Sequence, residues 1–314
     1  MLVIEARGLT KSFGSIHALR DVTFSIPRGR VAGFLGPNGA GKTTTLKILV
    51  GLLRRDGGEV RVFGLDPWEQ GVEVREKMGV LHERPLYPKG ARVSTILRYT
   101  ARLKGYDYGE ALRMAKIAGI DRFLSYPVSS LSRGFLQRLG IALALLGDPE
   151  LLLLDEPTAN LDPLTRMSLL AFLGVLHREL GLTILISSHI LPELSMVCDY
   201  AVFIAYGATL DWGSLEELNR KYGIVSVYEF ATEEPRELAR DLIMRSYVIG
   251  VEVADKRVKV KIDGSYATEF LDELRERGIT RVRHVGGELG QLYSRVMSSR
   301  DTLRSLEVVQ GGGA

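Results

Sequence analysis

Three short stretches carry side chains whose types and spacing suit phosphate chemistry. Residues 36 to 43 read GPNGAGKT, residues 151 to 156 read LLLLDE and residues 186 to 189 read ISSH. In the first, the glycines at 36, 39 and 41 let a backbone turn tightly with its N–H groups aimed inward. Lys42 and Thr43 open the next segment, whose helical N-terminus favours an anion. The run fits G-x-x-x-x-G-K-[ST] at every position, a pattern in which the lysine reaches the β- and γ-phosphates and the hydroxyl ligates Mg²⁺. A glycine-rich turn with no ligand is the plainer reading of these residues alone. The apolar strand before them (31 to 35) and the helical pattern after them weigh against it.

Asp155 and Glu156 end an apolar run. A carboxylate at a strand end can hold Mg²⁺ through water, and one beside it can polarise an attacking water. Taken singly, such a pair is a solvated strand end; together with residues 36 to 43 it becomes the second half of a nucleotide site. His189 follows the apolar run TILIS (183 to 187), which places it at the carboxyl edge of a parallel sheet, where ligands bind. By itself it reads as a structural histidine; at this edge it can touch a γ-phosphate and position water.

These residues need a scaffold, and the hydropathy pattern supplies one. VAGFL (31 to 35), LLLLD (151 to 155) and TILIS (183 to 187) are continuous apolar runs, as expected of parallel strands buried on both faces. LVIEA (2 to 6), VTFSI (22 to 26) and EVRVFG (59 to 64) alternate or are β-branched beside turn residues, and read as a mostly antiparallel layer. From about 92 to 146 apolar residues recur at helical spacing, which predicts a helical insertion. Past residue 222 the pattern becomes β-α-β-β-α-β, the order of a small ferredoxin-like module, followed by an amphipathic helix (288 to 299) and a glycine-rich end. The expected organisation is a nucleotide-binding domain over 1–222, a small α+β domain over 223–300 and a tail over 301–314.

The bulk composition narrows the function. With 41 Lys and Arg against 38 Asp and Glu, a net charge of +3 is no nucleic-acid signature. The one cysteine, Cys198, rules out an intramolecular disulfide and a cysteine-rich zinc cluster. No signal peptide or 20-residue apolar span is visible, so a cytoplasmic location is expected, with any membrane role held through a partner.

The motifs GPNGAGKT, LSRGFLQRL (131 to 139), LLLLDEPTANLD (151 to 162) and ISSH, in that order, resemble the nucleotide-binding domain of ABC ATPases over about residues 2 to 220. The resemblance implies ATP and Mg²⁺ as cofactors. It assigns Gly36, Pro37, Asn38, Gly39, Ala40, Gly41, Lys42, Thr43 and Thr44 to the phosphates, Thr43 and Asp155 to Mg²⁺, Glu156 to the general base and His189 to the switch contact. Phe13, in LTKSFG, takes the place of the aromatic that stacks on adenine. Ser132 and Gly134 occupy the signature motif, which caps the γ-phosphate held by the opposite subunit of a head-to-tail dimer; their plainer role is a helix start. Asp162, in NLD, lies in the loop through which subunits communicate. Three departures stand out: Arg133 replaces the first signature glycine, Phe135 its glutamine, and Glu83 the glutamine that senses Mg²⁺. A Glu83 carboxylate still offers oxygen to the metal.

The segment GVLHERPLYP (79 to 88), of the form GxLxExxLYP, and the short domain after one nucleotide domain resemble the drug-export, ABC-2 type branch. There the ATPase works, as a homodimer or with a homologue, on a separate membrane-spanning permease at the cytoplasmic face. The alternatives are a soluble ABC ATPase acting on nucleic acid or ribosomes, and an importer ATPase subunit. A long coiled coil or a second nucleotide domain would mark the first alternative, and the sequence has neither; the tails of the second more often resemble small barrels. Direct nucleic-acid contact is not expected. Arg275, Arg277, Arg281 and Arg283 read as a solvated face.

Overall fold

The computed structural model describes residues 1–88, 90–284 and 288–299, so the tail expected over 301–314 lies outside the described residues. The chain divides into two compact units. One comprises Met1–Ile190 with Met196–Trp212, and the other Leu191–Ser195 with the residues from Gly213 onward. The junction thus falls earlier than the expected 222 to 223. The helix at Leu215–Tyr222 packs on the short turn at Gly264–Tyr266, and Ile224 O accepts from Gly264 N at 2.8 Å.

The first strands are β1 (Leu2–Phe13), β2 (Ile16–Pro27) and β3 (Val31–Leu35), followed by helix α1 (Lys42–Leu49) and β4 (Gly57–Val62). Next come α2 (Gly71–Glu76), β5 (Met78–Leu81), α3 (Val93–Leu103), α4 (Tyr108–Ile117) and α5 (Arg133–Ala144). Then follow β6 (Leu151–Asp155), α6 (Pro163–Leu180), β7 (Thr183–Ser188), α7 (Leu191–Leu194), β8 (Tyr200–Ala205), β9 (Ala208–Ser214) and α8 (Leu215–Tyr222).

Among the described residues the nine strands form one sheet in the order β4-β1-β2-β9-β8-β3-β7-β6-β5. Its β8-β3-β7-β6-β5 half is parallel, whereas β1 pairs antiparallel with both β2 and β4. The two halves join where β2 meets β9 through the single pair Asp21↔Ala208. Every residue of β3, β6, β7 and β8 is buried, the consequence of a strand covered on both faces. Burying each Leu or Ile contributes about 1.5–3 kcal/mol, so the carboxyl edge of these strands is a rigid base for a site. Helices α3, α4 and α5 fall in the expected insertion, and Ser132 caps α5 by accepting from Phe135 N at 3.4 Å. Phe135 packs its ring on Phe123, 4.4 Å between centroids, which gives this departure from the family a packing role.

The second unit continues with β10 (Val225–Ala231), α9 (Pro235–Ile243), β11 (Val248–Ala254), β12 (Arg257–Asp263), α10 (Ala267–Glu276), β13 (Val282–His284) and α11 (Glu288–Ser298). Its four described strands form an antiparallel sheet in the order β11-β12-β10-β13. That order and the β-α-β-β-α-β sequence are those of a ferredoxin-like module. Tyr228 and Phe230 on β10 pack against Phe270 of α10 in its core. Arg275, Arg277 and Arg283 each pair with a carboxylate, Asp272, Asp241 and Glu229 respectively.

Candidate functional site

Strand β3 delivers the chain into the loop 36–41 at the edge where β7 and β8 also end. Two of its glycines answer to measurable constraints. A Cβ on Gly36 would stand 2.1 Å from the carbonyl oxygen of Ile204. Gly41, the N-cap of α1, has φ +102°, and a Cβ there would lie 2.5 Å from Leu19 Cδ2. Lys42, in the first turn of α1, is buried and donates from Nζ to Gly36 O at 2.8 Å and Pro37 O at 3.2 Å.

The same ammonium lies 3.3 Å from Glu156 Oε1, and His189 Nδ1 lies 2.9 Å from Glu156 Oε2. Glu156 is buried and has φ +47°, a strained setting for a side chain of its size that persists only where its surroundings hold it. Those surroundings include Ser187, whose Oγ accepts from Glu156 N at 2.9 Å. The Ser187 hydroxyl in turn donates to Asp155 Oδ1 at 2.6 Å, and the Thr43 hydroxyl reaches the same oxygen at 3.4 Å. One hydrogen-bonded chain therefore links both carboxylates at the end of β6 to the lysine, the threonine and the histidine.

Lys42, Thr43, Glu156 and His189 border an open cleft of ≈ 630 Å³. Phe13, 49% exposed, lies along it, and Asn38, Gly39, Gly41, Lys42, Thr43 and Thr44 form its floor. Glu83, Asn160 and His189 complete the wall. A helix N-terminus with a lysine suits a polyphosphate, an exposed aromatic face suits a base, and a carboxylate held by an imidazole suits the orientation of water. The hydroxyl and carboxylate of Thr43 and Asp155 are hard oxygen donors already turned towards each other, a donor set that fits Mg²⁺ completed by water and phosphate oxygens. Glu83 faces this cleft, but its carboxylate pairs with exposed Arg84 at 3.3 Å.

Not every residue singled out from sequence borders the cleft. Gly36, Pro37 and Ala40 shape the loop without lining it, and Asp155 meets it through Thr43 and Ser187. Ser132 and Gly134 sit at the start of α5, where a Cβ on Gly134 would lie 2.4 Å from Thr165 Cγ2 of α6. Asp162 caps α6 by accepting from Thr165 N at 3.0 Å, and hydrogen bonds from the Thr165 side chain and then its backbone hold the carboxyl below the usual range. Sequence reasoning missed Ser187, whose only signal was the doubled serine ahead of His189, and the wall contributed by Ile16 and Asn160.

Comparison with known proteins fits this arrangement. A family model described as ABC transporter matches residues 19–159, and one described as an AAA domain matches 124–196. The bacitracin transport ATP-binding protein BcrA of Enterococcus faecalis is 31% identical, over 94% of this chain and 96% of its own. The ABC transporter ATP-binding protein YhcH of Bacillus subtilis is 31% identical, over 83% of this chain and 87% of its own. Among solved structures, the dimeric bacterial ABC transporter cassette MJ0796 superposes with a TM-score of 0.60 at 26% identity, covering 67% of this chain and 98% of that one.

Proposed function

We propose, on the premise that this chain belongs to the ABC transporter family of ATP-binding proteins, that it binds and hydrolyses ATP to drive a separate membrane permease in the direction of export. The observation that carries this reading is the contact of Glu156 with Lys42 on one side and His189 on the other, at the mouth of the phosphate loop. BcrA, a relative that matches almost the whole chain, is named for bacitracin transport, which supports an export-type cargo class. No described helix is long and apolar enough to cross a membrane, so in this reading a partner supplies the path and holds the chain at the cytoplasmic face.

In this mechanism Phe13 stacks on the adenine, while the loop amides and Lys42 take the phosphates. When Lys42 turns from Gly36 O, Pro37 O and Glu156 towards the phosphates, the Glu156 carboxylate is released to orient and deprotonate the attacking water. His189 keeps that carboxylate in register and reaches the γ-phosphate. Thr43 and Asp155 would hold Mg²⁺, with Glu83 across the cleft, and the ion would offset charge on the phosphate oxygens. Ser132 and Gly134 act on the nucleotide of a second ATPase subunit, a homodimer partner or a homologue; the dimer of the MJ0796 cassette supports such an assembly. The NLD loop with Asp162 carries the signal between subunits. The second unit, residues 213 onward, serves dimer contact or regulation.

The test is to tag this chain, extract membranes in mild detergent and identify the copurifying polypeptides by mass spectrometry. A multi-span membrane protein is expected. Recovery from the soluble fraction with ribosomes or nucleic acid would overturn the transport reading while leaving the ATP site intact.

A further inference from the structure

Two of the positions at which this chain departs from its family, Glu83 and Arg133, line one cavity of ≈ 380 Å³ beside the nucleotide cleft. Ala159 and Asn160 form the wall the two spaces share, and Glu83 borders both. Three observations bear on what the cavity does. Arg133 already reaches this wall, donating from Nη1 to Asn160 O at 3.2 Å. Among the described residues Glu83 pairs with its chain neighbour Arg84, whose side chain is 82% exposed, a pairing that contributes little. Gln137, buried and lining the same cavity, has an Oε1 with no donor among the described residues.

A carboxylate on the wall of a polyphosphate cleft repels the ligand unless a cation offsets it, and a buried amide oxygen without a donor is costly. One guanidinium answers both, because its planar fork offers several N–H groups at once. We propose that Arg133 forms an ion pair with Glu83 across this cavity, with Gln137 Oε1 accepting a further guanidinium N–H, and that this pair neutralises Glu83 so that ATP can enter the cleft. Arg133 is thus a positioning residue for the proposed ATP site: it acts on nucleotide through Glu83, within one chain, and the departures at 83 and 133 compensate one another. The inference rests on the ATPase reading above.

The test is equilibrium binding of ATP to the full chain. R133A weakens ATP affinity about tenfold. E83Q removes the charge that Arg133 offsets, so in that background loss of the guanidinium costs little: E83Q/R133A binds ATP within about threefold of E83Q itself. The R133A deficit also shrinks as NaCl rises from about 0.05 M to about 0.5 M, because screening weakens repulsion but not a packing loss. A tenfold loss on adding R133A to E83Q, or a deficit indifferent to salt, would overturn the pair while leaving the ATPase reading standing. A wild-type chain that binds no ATP would remove that reading and this inference together.

Discussion

The Ser187 hydroxyl donates to Asp155 at 2.6 Å while accepting from the backbone N–H of the next residue, Glu156. One buried side chain on β7 thereby fixes both the acid turned to Thr43 and the strained turn that presents the acid beside Lys42 and His189. Ser187→Ala removes both bonds and leaves a buried N–H without a partner. It should cost about 1–3 kcal/mol in urea unfolding and lower kcat for ATP more than it raises KM. Unchanged stability and turnover would show that Ser187 is a bystander.

Gly134 is fixed by packing as much as by any ligand. Its Cβ position lies 2.4 Å from Thr165 Cγ2, so Gly134→Ala should destabilise the chain by about 1–3 kcal/mol. Thr165→Ser deletes that methyl while leaving the backbone bond to Asp162 intact. It should recover most of the loss in the double variant. If it recovers none, the clash is not what fixes the glycine.

Phe13 is half exposed, with Lys11 Nζ 5.6 Å from its ring centroid. Phe13→Ala should therefore leave the melting temperature nearly unchanged while weakening ATP binding by about 1–3 kcal/mol, the range for base stacking on an aromatic. Titration calorimetry of the variant decides it, and equal affinity would place the adenine elsewhere.

The second unit has a pH dependence of its own. Burial alone would raise the Glu273 carboxyl, but hydrogen bonds from Arg245 at 2.7 Å and Tyr247 at 2.6 Å outweigh it and hold the group below its ordinary value of 4.5. Burial, and then that bond to Glu273, push the Tyr247 hydroxyl well above 10. A depressed carboxyl stabilises the fold above its unfolded value and loses this as pH falls through the folded one. A raised phenol stabilises below its unfolded value and loses this as pH rises. Amide exchange of residues 225–276, corrected for intrinsic rates, should show protection falling below about pH 4.5, with the acid limb flattened in Glu273→Gln. An unchanged acid limb in that variant would assign the dependence to other groups.

How much was legible in the sequence differs from element to element. The strand–loop–helix geometry of residues 31–49 was readable because each constraint is local: a buried strand, glycines at the close approaches and a lysine opening a helix. The β-α-β-β-α-β order of the second unit was readable because its strands alternate cleanly, as in Tyr228 and Phe230 facing inward beside Glu229. Strand β8, YAVFIA, was missed because a short run buried at every position carries no period to separate strand from helix. Strand β5 has four residues and among the described residues pairs with β6 alone, and the β2 to β9 junction rests on one described residue pair; both depend on partners distant in sequence. Ser187 was hidden for the same reason, since its two partners lie more than thirty positions upstream.

Glu156 is the centre of the proposed mechanism, and Glu156→Gln tests it most directly. The amide keeps the size and the oxygen facing Lys42 but cannot take a proton. Phosphate release should fall by roughly a hundredfold or more, with ATP still bound and a dimer accumulating in sedimentation velocity when ATP and Mg²⁺ are present. Turnover at the wild-type rate, with no ATP-dependent dimer, would contradict the assignment of Glu156 as the base.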